Sequence, residues 1–514
     1  GLKMAADGSV EIWSKSESGG RWGLLTTIPF EDAMSSDVIG FEAEGASFLM
    51  LDSTGRDRAA LVRVNAASGA KEVLGESARA DVVDVWRDPV SGAPEAFAAE
   101  YLRRDWRALD AKAQADLNFL DERLQGDPQI VSRSADDKLW IVLEEAPQIA
   151  PRTWLYNRSD AEHPTLTLLY RNRPALEGAP LQPMSPVEIE ARDALTLVSY
   201  LTLPIGSDAN GDSRPDRETP LVILPHDGPW ARDSYGFNAI HQWLANRGYA
   251  VLSVNFRGST GFGKAFLNAG NREWGGKIQE DLQDAAQWAV DERIAGPDRI
   301  AMLGHGFGGF SVLHGLSFAP QRFACGVDIA GPANLEAMLT NTPQKHEWRR
   351  PNFYSRVGDM RLQEGRDLLR AQSPLSRAQN VEQPLLIMQG ARDAWNLRTE
   401  SDLMSQGVRL RTGLVYLVFP EAGALLSDPS ARQSVFAVAD QFLRDCLGGR
   451  AEQIGAAFHG VRAQSLAGAE RIEGLARFAP PLPPTPRPAA APMEIIQPAP
   501  DMDAPELRTN GEEN

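Results

Sequence analysis

Gly304-His305-Gly306-Phe307-Gly308-Gly309 follows the apolar run Arg299-Ile300-Ala301-Met302-Leu303 and precedes a stretch of helical spacing over residues 310–318. A strand, a tight glycine turn and a helix in that order are the backbone grammar of the G-x-S-x-G nucleophile elbow. There a serine on a sharp bend is lifted above the sheet. Here the middle residue is Gly306, which accepts strained or positive backbone angles without steric cost but carries no nucleophilic atom. Alone, four glycines in six residues equally fit an ordinary tight turn or a phosphate-binding loop, so the flanking chain has to decide.

Outward from the turn, short apolar runs at 221–224, 250–256, 299–303, 324–330, 385–389 and 415–419 alternate with amphipathic stretches such as 281–290. Strands that are apolar on both faces and separated by helices make a mostly parallel, doubly wound sheet. A hairpin over 187–192 and 195–203, turning at Asp193-Ala194, leads into it, followed by a polar loop at 206–218. Before residue 187 the pattern is different. Runs at 9–13, 38–41, 47–52, 60–65, 82–86, 138–143 and 153–156 are separated by Asp-Gly, Ser-Gly and Asp-Asp clusters. That spacing predicts an all-β antiparallel region of repeated meanders, with a propeller as the natural candidate. One helix, over 106–124, interrupts it. From about residue 450 apolar periodicity fades, and the proline-rich run at 480–500 predicts an extended or disordered tail. The expected organisation is therefore a partial β-propeller-like region at 1–186, a doubly wound α/β domain at 187–449 and a tail at 450–514.

Composition narrows the function classes. A formal net charge of -17 argues against non-specific binding to nucleic acid or anionic membrane. No apolar run reaches membrane-spanning length. The seven histidines show neither H-E-x-x-H nor Cys/His spacing, so no metal site and no cofactor is expected. Cys325 and Cys446 lie in apolar segments, as small buried residues or as a single bridge. The chain opens on Gly1, and Gly1-Leu2-Lys3-Met4 has neither the apolar core nor the cleavage site of a signal peptide. This points to a true start upstream and leaves cytoplasm and periplasm both open.

Several motifs in a fixed order carry a family resemblance. They are His226-Asp227-Gly228-Pro229, Asn255-Phe256-Arg257-Gly258 with Gly261-Phe262-Gly263, Arg272-Glu273-Trp274-Gly275-Gly276, the turn at Gly306, Gly390-Ala391-Arg392-Asp393 and Tyr416-Leu417-Val418-Phe419-Pro420. Together they resemble the catalytic α/β-hydrolase domain of the prolyl oligopeptidase family of serine peptidases, in its bacterial acylaminoacyl-peptidase and dipeptidyl-peptidase branch. The resemblance implies a β-propeller before the hydrolase domain and an active site in the cavity between them. Only about half a propeller's length of chain precedes the hydrolase motifs here.

The resemblance also implies a catalytic triad in the chain order Ser, Asp, His. Its aspartate maps to Asp393. The serine position is Gly306, and the loop Pro420-Glu421-Ala422-Gly423-Ala424-Leu425 sets Ala424 at the histidine position. A triad needs an oxygen or sulfur nucleophile and a base to take its proton, and the aspartate only orients that base. Loss of either the serine or the histidine alone costs on the order of a millionfold in turnover. Of the oxyanion hole, one donor would be the Phe307 amide and another would come from the loop at Asp227 and Gly228. Relatives carry H-G-G-P where this chain has Asp227, and a carboxylate near the hole opposes the charge that develops there. Ser311, Ser259, Thr260 and His305 are poor substitutes, because a nucleophile and its base must lie within hydrogen-bond reach.

The expectation is a catalytically silent peptidase homologue, binding a peptide in the interdomain cavity or forming a homo- or hetero-oligomer with an active paralogue. The alternatives are an active serine-type peptidase or esterase with an unrecognised nucleophile, and an interaction protein working through its proline-rich tail. An open, polar-lined cavity over Gly306 favours ligand binding; one filled by Phe307, Leu425 and neighbouring side chains favours a scaffold.

Overall fold

The computed structural model describes residues 1–15, 20–408 and 413–481. The core is a nine-stranded sheet built from β1 (Met184–Glu190), β2 (Thr196–Thr202), β3 (Leu221–Ile223), β4 (Ala250–Val254), β5 (Ile300–His305), β6 (Cys325–Ile329), β7 (Leu385–Gly390), β8 (Val415–Phe419) and β9 (Gln464–Ala467). Their order across the sheet is β1-β2-β4-β3-β5-β6-β7-β8-β9. Strands β3 to β8 pair in parallel, while β1, β2 and β9 are antiparallel to their neighbours.

Strict alternation along each strand explains why both faces are covered. Leu221, Ile223, Leu252, Ile300 and Met302 pack into one layer with α2 (Lys277–Asp291) and α3 (Phe307–Phe318). Val222, Val251, Ala301, Leu303 and Val327 pack into the other with α1 (Ala239–Arg247) and α4 (Pro429–Leu447). Each fully buried aliphatic side chain of this kind contributes about 1.5–3 kcal/mol, which fixes the register of the whole sheet.

Ahead of it stand four antiparallel sheets of three, four, three and four strands, running in sequence from Leu2–Met4 to Thr165–Arg171. This is the meander repetition of a propeller-like region. The seven strands read from the sequence are all present, with ends shifted by a few residues. The helix expected over 106–124 is shorter. Trp106 belongs to the strand Arg104–Ala108, and the helix is Ala111–Arg123, capped by the Asp110 carboxylate accepting from the Ala113 amide. The Trp106 ring packs at a tilt against Trp86, 4.7 Å between centroids.

The β-rich region and the sheet belong to one compact unit. Lys264 Nζ donates to Asp32 at 2.7 Å, and Asp81 accepts from the Gly263 amide at 3.2 Å. Arg356 is fully buried between the two parts, donating to Asn268 Oδ1 at 2.6 Å and to the Phe30 carbonyl at 2.8 Å.

One other feature differs from the sequence reading, and one choice it left open is decided. Chain beyond residue 450 does not leave the fold at once: Ile454, Phe458, Ile472 and Leu475 are buried, and β9 extends the sheet antiparallel to β8. The described residues after 450 are therefore packed on the fold, because a few widely spaced apolar residues suffice to bury a short segment against a sheet edge. Its proline-rich part, from residue 482, lies outside the described residues. Cys325 and Cys446 form a disulfide that ties β6 to α4 across a sequence separation of 121.

Candidate functional site

Strand β5 passes into helix α3 through a single residue, Gly306, with φ 57° and ψ −117°. Residues with a Cβ rarely adopt that backbone, so glycine relaxes the bend. Gly308, one turn position on, is glycine for a different reason: a Cβ there would lie 2.3 Å from the Pro225 carbonyl oxygen. Together they let α3 start hard against the loop after β3, which carries Asp227 and Gly228.

The Asp227 side chain turns into the hole. Its Oδ1 accepts from the Phe307 amide at 2.7 Å and from the Gly228 amide at 2.8 Å, and its Oδ2 lies 3.7 Å from His305 Nδ1. An anion at the N-terminus of α3, held by a free amide, sits where the helix dipole favours it. The same carboxylate occupies the space beside the turn, since an ideal Cβ on Gly306 would lie 2.3 Å from Asp227 Oδ1 and 2.7 Å from its Cγ.

Asp393 follows β7 and is buried. Its Oδ1 accepts from the Trp395 and Asn396 amides at 2.9 and 3.0 Å, so it organises its own turn. Ala424 is exposed and precedes the short turn Leu425–Ser427, with Leu425 fully buried in the core. Asp227, Gly228, Gly306, Phe307, Asp393 and Ala424, far apart in sequence, all line one open cavity of about 360 Å³. The fill by Phe307 and Leu425 considered from sequence does not occur. Phe307 instead packs its ring on Trp274 and Phe310 and presents its edge to the wall.

All lining residues follow position 226, so this cavity belongs to the α/β part alone rather than to an interdomain space. A second groove of about 460 Å³, between α1 and α4 beside Trp243 and Phe436, shares no lining residue with it. Unforeseen from sequence were the aromatic walls, Trp230, Trp274, Phe353 and Trp395, joined by ring separations of 5.9–6.1 Å, Trp230 meeting Trp274 edge to face and stacking on Phe353. Each of the three tryptophans sits within or just after a motif already singled out, which was the available signal. His346 meets Trp395 edge to face, and desolvation together with Arg349 and Lys345 holds its imidazole below the ordinary value.

Of the four substitutes weighed from sequence, His305 lines the cavity, whereas the three hydroxyl residues do not. Ser259 is fully buried, donates to the Phe256 carbonyl at 2.7 Å and lies 2.9 Å from His226 Nε2. Ser311 is fully buried and accepts from Gln279 Nε2 at 3.0 Å. Thr260 is half-buried and not among the lining residues. Beneath the turn, complete burial pushes the Asp328 carboxyl up to about 8, with the Gly331 amide as its hydrogen-bond donor. Among the described residues, the carboxylates of Asp88, Glu95 and Asp137 approach one another, but Arg133 pairs with both Glu95 and Asp137. No described helix is long and apolar enough to cross a membrane.

A mostly parallel sheet in this strand order, with a strand-glycine-helix turn at its centre, defines an α/β-hydrolase preceded by a propeller-like region. Residues 235–450 match the model of the prolyl oligopeptidase family. The chain is 45% identical over 471 residues to dipeptidyl aminopeptidase BIII of Pseudoxanthomonas mexicana, covering 91% of this chain and 68% of that protein. It is 35% identical over 399 residues to dipeptidyl peptidase family member 6 of Caenorhabditis elegans, covering 74% of this chain and 54% of the relative. In fold it is similar to a puromycin-hydrolyzing peptidase of Mycobacterium tuberculosis, with TM-score 0.68, 18% identity, and 86% of this chain and 67% of that one covered. For the acylaminoacyl peptidase of Pyrococcus horikoshii the values are 0.63, 17%, 86% and 70%. The chain belongs to the prolyl oligopeptidase family, in its dipeptidyl- and acylaminoacyl-peptidase-like branch, and spans between about half and two thirds of the length of these relatives.

Proposed function

We propose that this chain is a non-hydrolytic prolyl oligopeptidase homologue that keeps a ligand cavity over its nucleophile turn. In this reading Gly306 stands in the serine position and Ala424 in the histidine position, while Asp393 is the triad aspartate with no base to orient. The observation that carries it is the Asp227 carboxylate hydrogen-bonded to the Phe307 amide. That amide is the donor a peptidase would aim at the developing oxyanion. Here it is already satisfied, and a negative charge stands where another would have to form. Loss of nucleophile, base and free oxyanion donor together favours a site maintained for something other than hydrolysis.

The names of the relatives make a peptide the favoured ligand class. An open aromatic cavity of this size suits a side chain or chain end of such a ligand. Pairing with a second copy or with an active paralogue is the accompanying proposal. The Cys325–Cys446 disulfide favours an oxidising compartment such as the periplasm.

Incubation with a fluorophosphonate probe and with chromogenic dipeptidyl and acylaminoacyl substrates tests the reading. No labelling and no turnover above buffer are expected. The competing reading, an active hydrolase with a displaced nucleophile, draws on the Ser259–His226 contact. It requires stoichiometric labelling that disappears in Ser259→Ala.

A further inference from the structure

The cavity combines a fixed carboxylate with several aromatic side chains. Asp227 Oδ1 is taken up by the two amides, whereas Oδ2 has the His305 ring at 3.7 Å and keeps acceptor capacity toward the cavity. Its side chain is 58% exposed, so a ligand can reach it. Around it stand Trp230, Trp274, Phe353 and Trp395. These walls are held rigid by ring-ring contacts, Phe307 to Trp274 at 4.8 Å and Phe353 to Trp395 at 6.0 Å. The single guanidinium on the lining, Arg349, is exposed and lies over the Trp348 ring, 5.0 Å from its centroid.

Faces of aromatic rings carry negative quadrupole potential and attract a weakly hydrated organic cation, most strongly where a carboxylate supplies the net charge. A hole shaped for a developing oxyanion has therefore been inverted in sign. We infer that the cavity over Gly306 is a receptor for an alkylammonium group, seated between Asp227 Oδ2 and the Trp230–Trp395 wall. The inference rests on the non-hydrolytic reading, because a working hydrolase needs the Phe307 amide free. It goes further by naming the charge and chemistry of what binds. Two sources carry this group: an ammonium side chain of a peptide, and a free small quaternary or primary amine.

The test is calorimetric titration of the whole chain with choline and with 3,3-dimethyl-1-butanol, its uncharged carbon isostere. A capped Gly-Lys-Gly peptide and its norleucine counterpart form the second pair. The charged member of each pair is expected to bind at least about tenfold more tightly. In Asp227→Asn, which keeps an acceptor for both amides, the preference is expected to vanish. Trp230→Leu is expected to weaken choline without affecting the isostere. Tighter binding of the lysine peptide than of choline assigns the natural ligand to a peptide; the reverse assigns it to a small amine. Equal binding of charged and uncharged partners, a preference that survives Asp227→Asn, or no binding of any of the four overturns the inference. Fluorophosphonate labelling of the same preparation reports separately on the non-hydrolytic reading, so either can fail while the other stands.

Discussion

Rebuilding the site should require three substitutions rather than two. Under the proposed reading, Gly306→Ser with Ala424→His returns a nucleophile and a base to two positions that line the cavity. Serine at 306, however, inherits φ 57°, a conformation that costs a residue with a Cβ about 1–3 kcal/mol. Its Cβ would also lie 2.3 Å from Asp227 Oδ1 and 2.8 Å from Oδ2, so the carboxylate has to move. Moving it breaks two hydrogen bonds to a charged acceptor, each worth about 1.5–3 kcal/mol when buried and less at this half-open position. Gly306→Ser alone should therefore destabilise the fold by about 2–4 kcal/mol, the sum of backbone strain and the displaced carboxylate. Relief is expected on adding Asp227→Gly. The double variant should remain nearly inert, because the displaced Asp227 carboxylate still crowds the Phe307 amide and opposes a developing negative charge. With Asp227→Gly the amide is freed, and one oxyanion donor is worth roughly 10²–10³ in turnover. The assay is the rate of fluorophosphonate labelling, read beside p-nitroanilide release from dipeptide substrates and thermal unfolding of each variant. A double variant that labels as fast as the triple, or a Gly306→Ser variant as stable as the parent chain, would refute the claim that Asp227 plugs the hole.

Stability should fall as pH rises toward 8. Burial raises Asp328 from 3.8 to about 8 and Glu400 from 4.5 to about 7, so both stay protonated in the folded chain while the unfolded chain releases their protons. Their contribution is complete below about pH 4 and is lost as pH passes through the raised values. Urea midpoints measured from pH 5 to 8.5 should decline, and Asp328→Asn with Glu400→Gln should flatten the slope; an unchanged slope counts against the assignment. Reduction, or Cys446→Ser, should cost up to about 4–5 kcal/mol, the loop-closure value for a crosslink of this span, read as a lowered denaturation midpoint. Arg356 donates to the Phe30 carbonyl and lies 4.1 Å over its ring, so Arg356→Met leaves buried acceptors on both sides of that junction unpaired. A loss of about 2–4 kcal/mol is expected, with faster proteolysis between the β-rich region and the sheet and partial recovery in Arg356→Lys.

What the sequence by itself determined about this protein is the local grammar. Apolar runs of strand length separated by amphipathic stretches specify a parallel sheet wherever both faces must be buried, and 415–419 is a strand end to end as read. Glycine at 306 and alanine at 424 are equally plain as residue types; that they stand in the serine and histidine positions of a triad belongs to the proposed reading. Whether Asp227 matters is different. The direction of one side chain depends on the helix N-terminus that attracts it, and that helix begins 80 residues later in the chain. The pairing of Cys325 with Cys446 and the return of residues 464–467 to the sheet edge are likewise long-range contacts without local periodicity. Ser259 reads from sequence only as a turn hydroxyl and a poor substitute nucleophile, and the fold buries it completely. Tertiary structure alone decided these points, since each is set by what the rest of the chain brings alongside rather than by the residue and its neighbours.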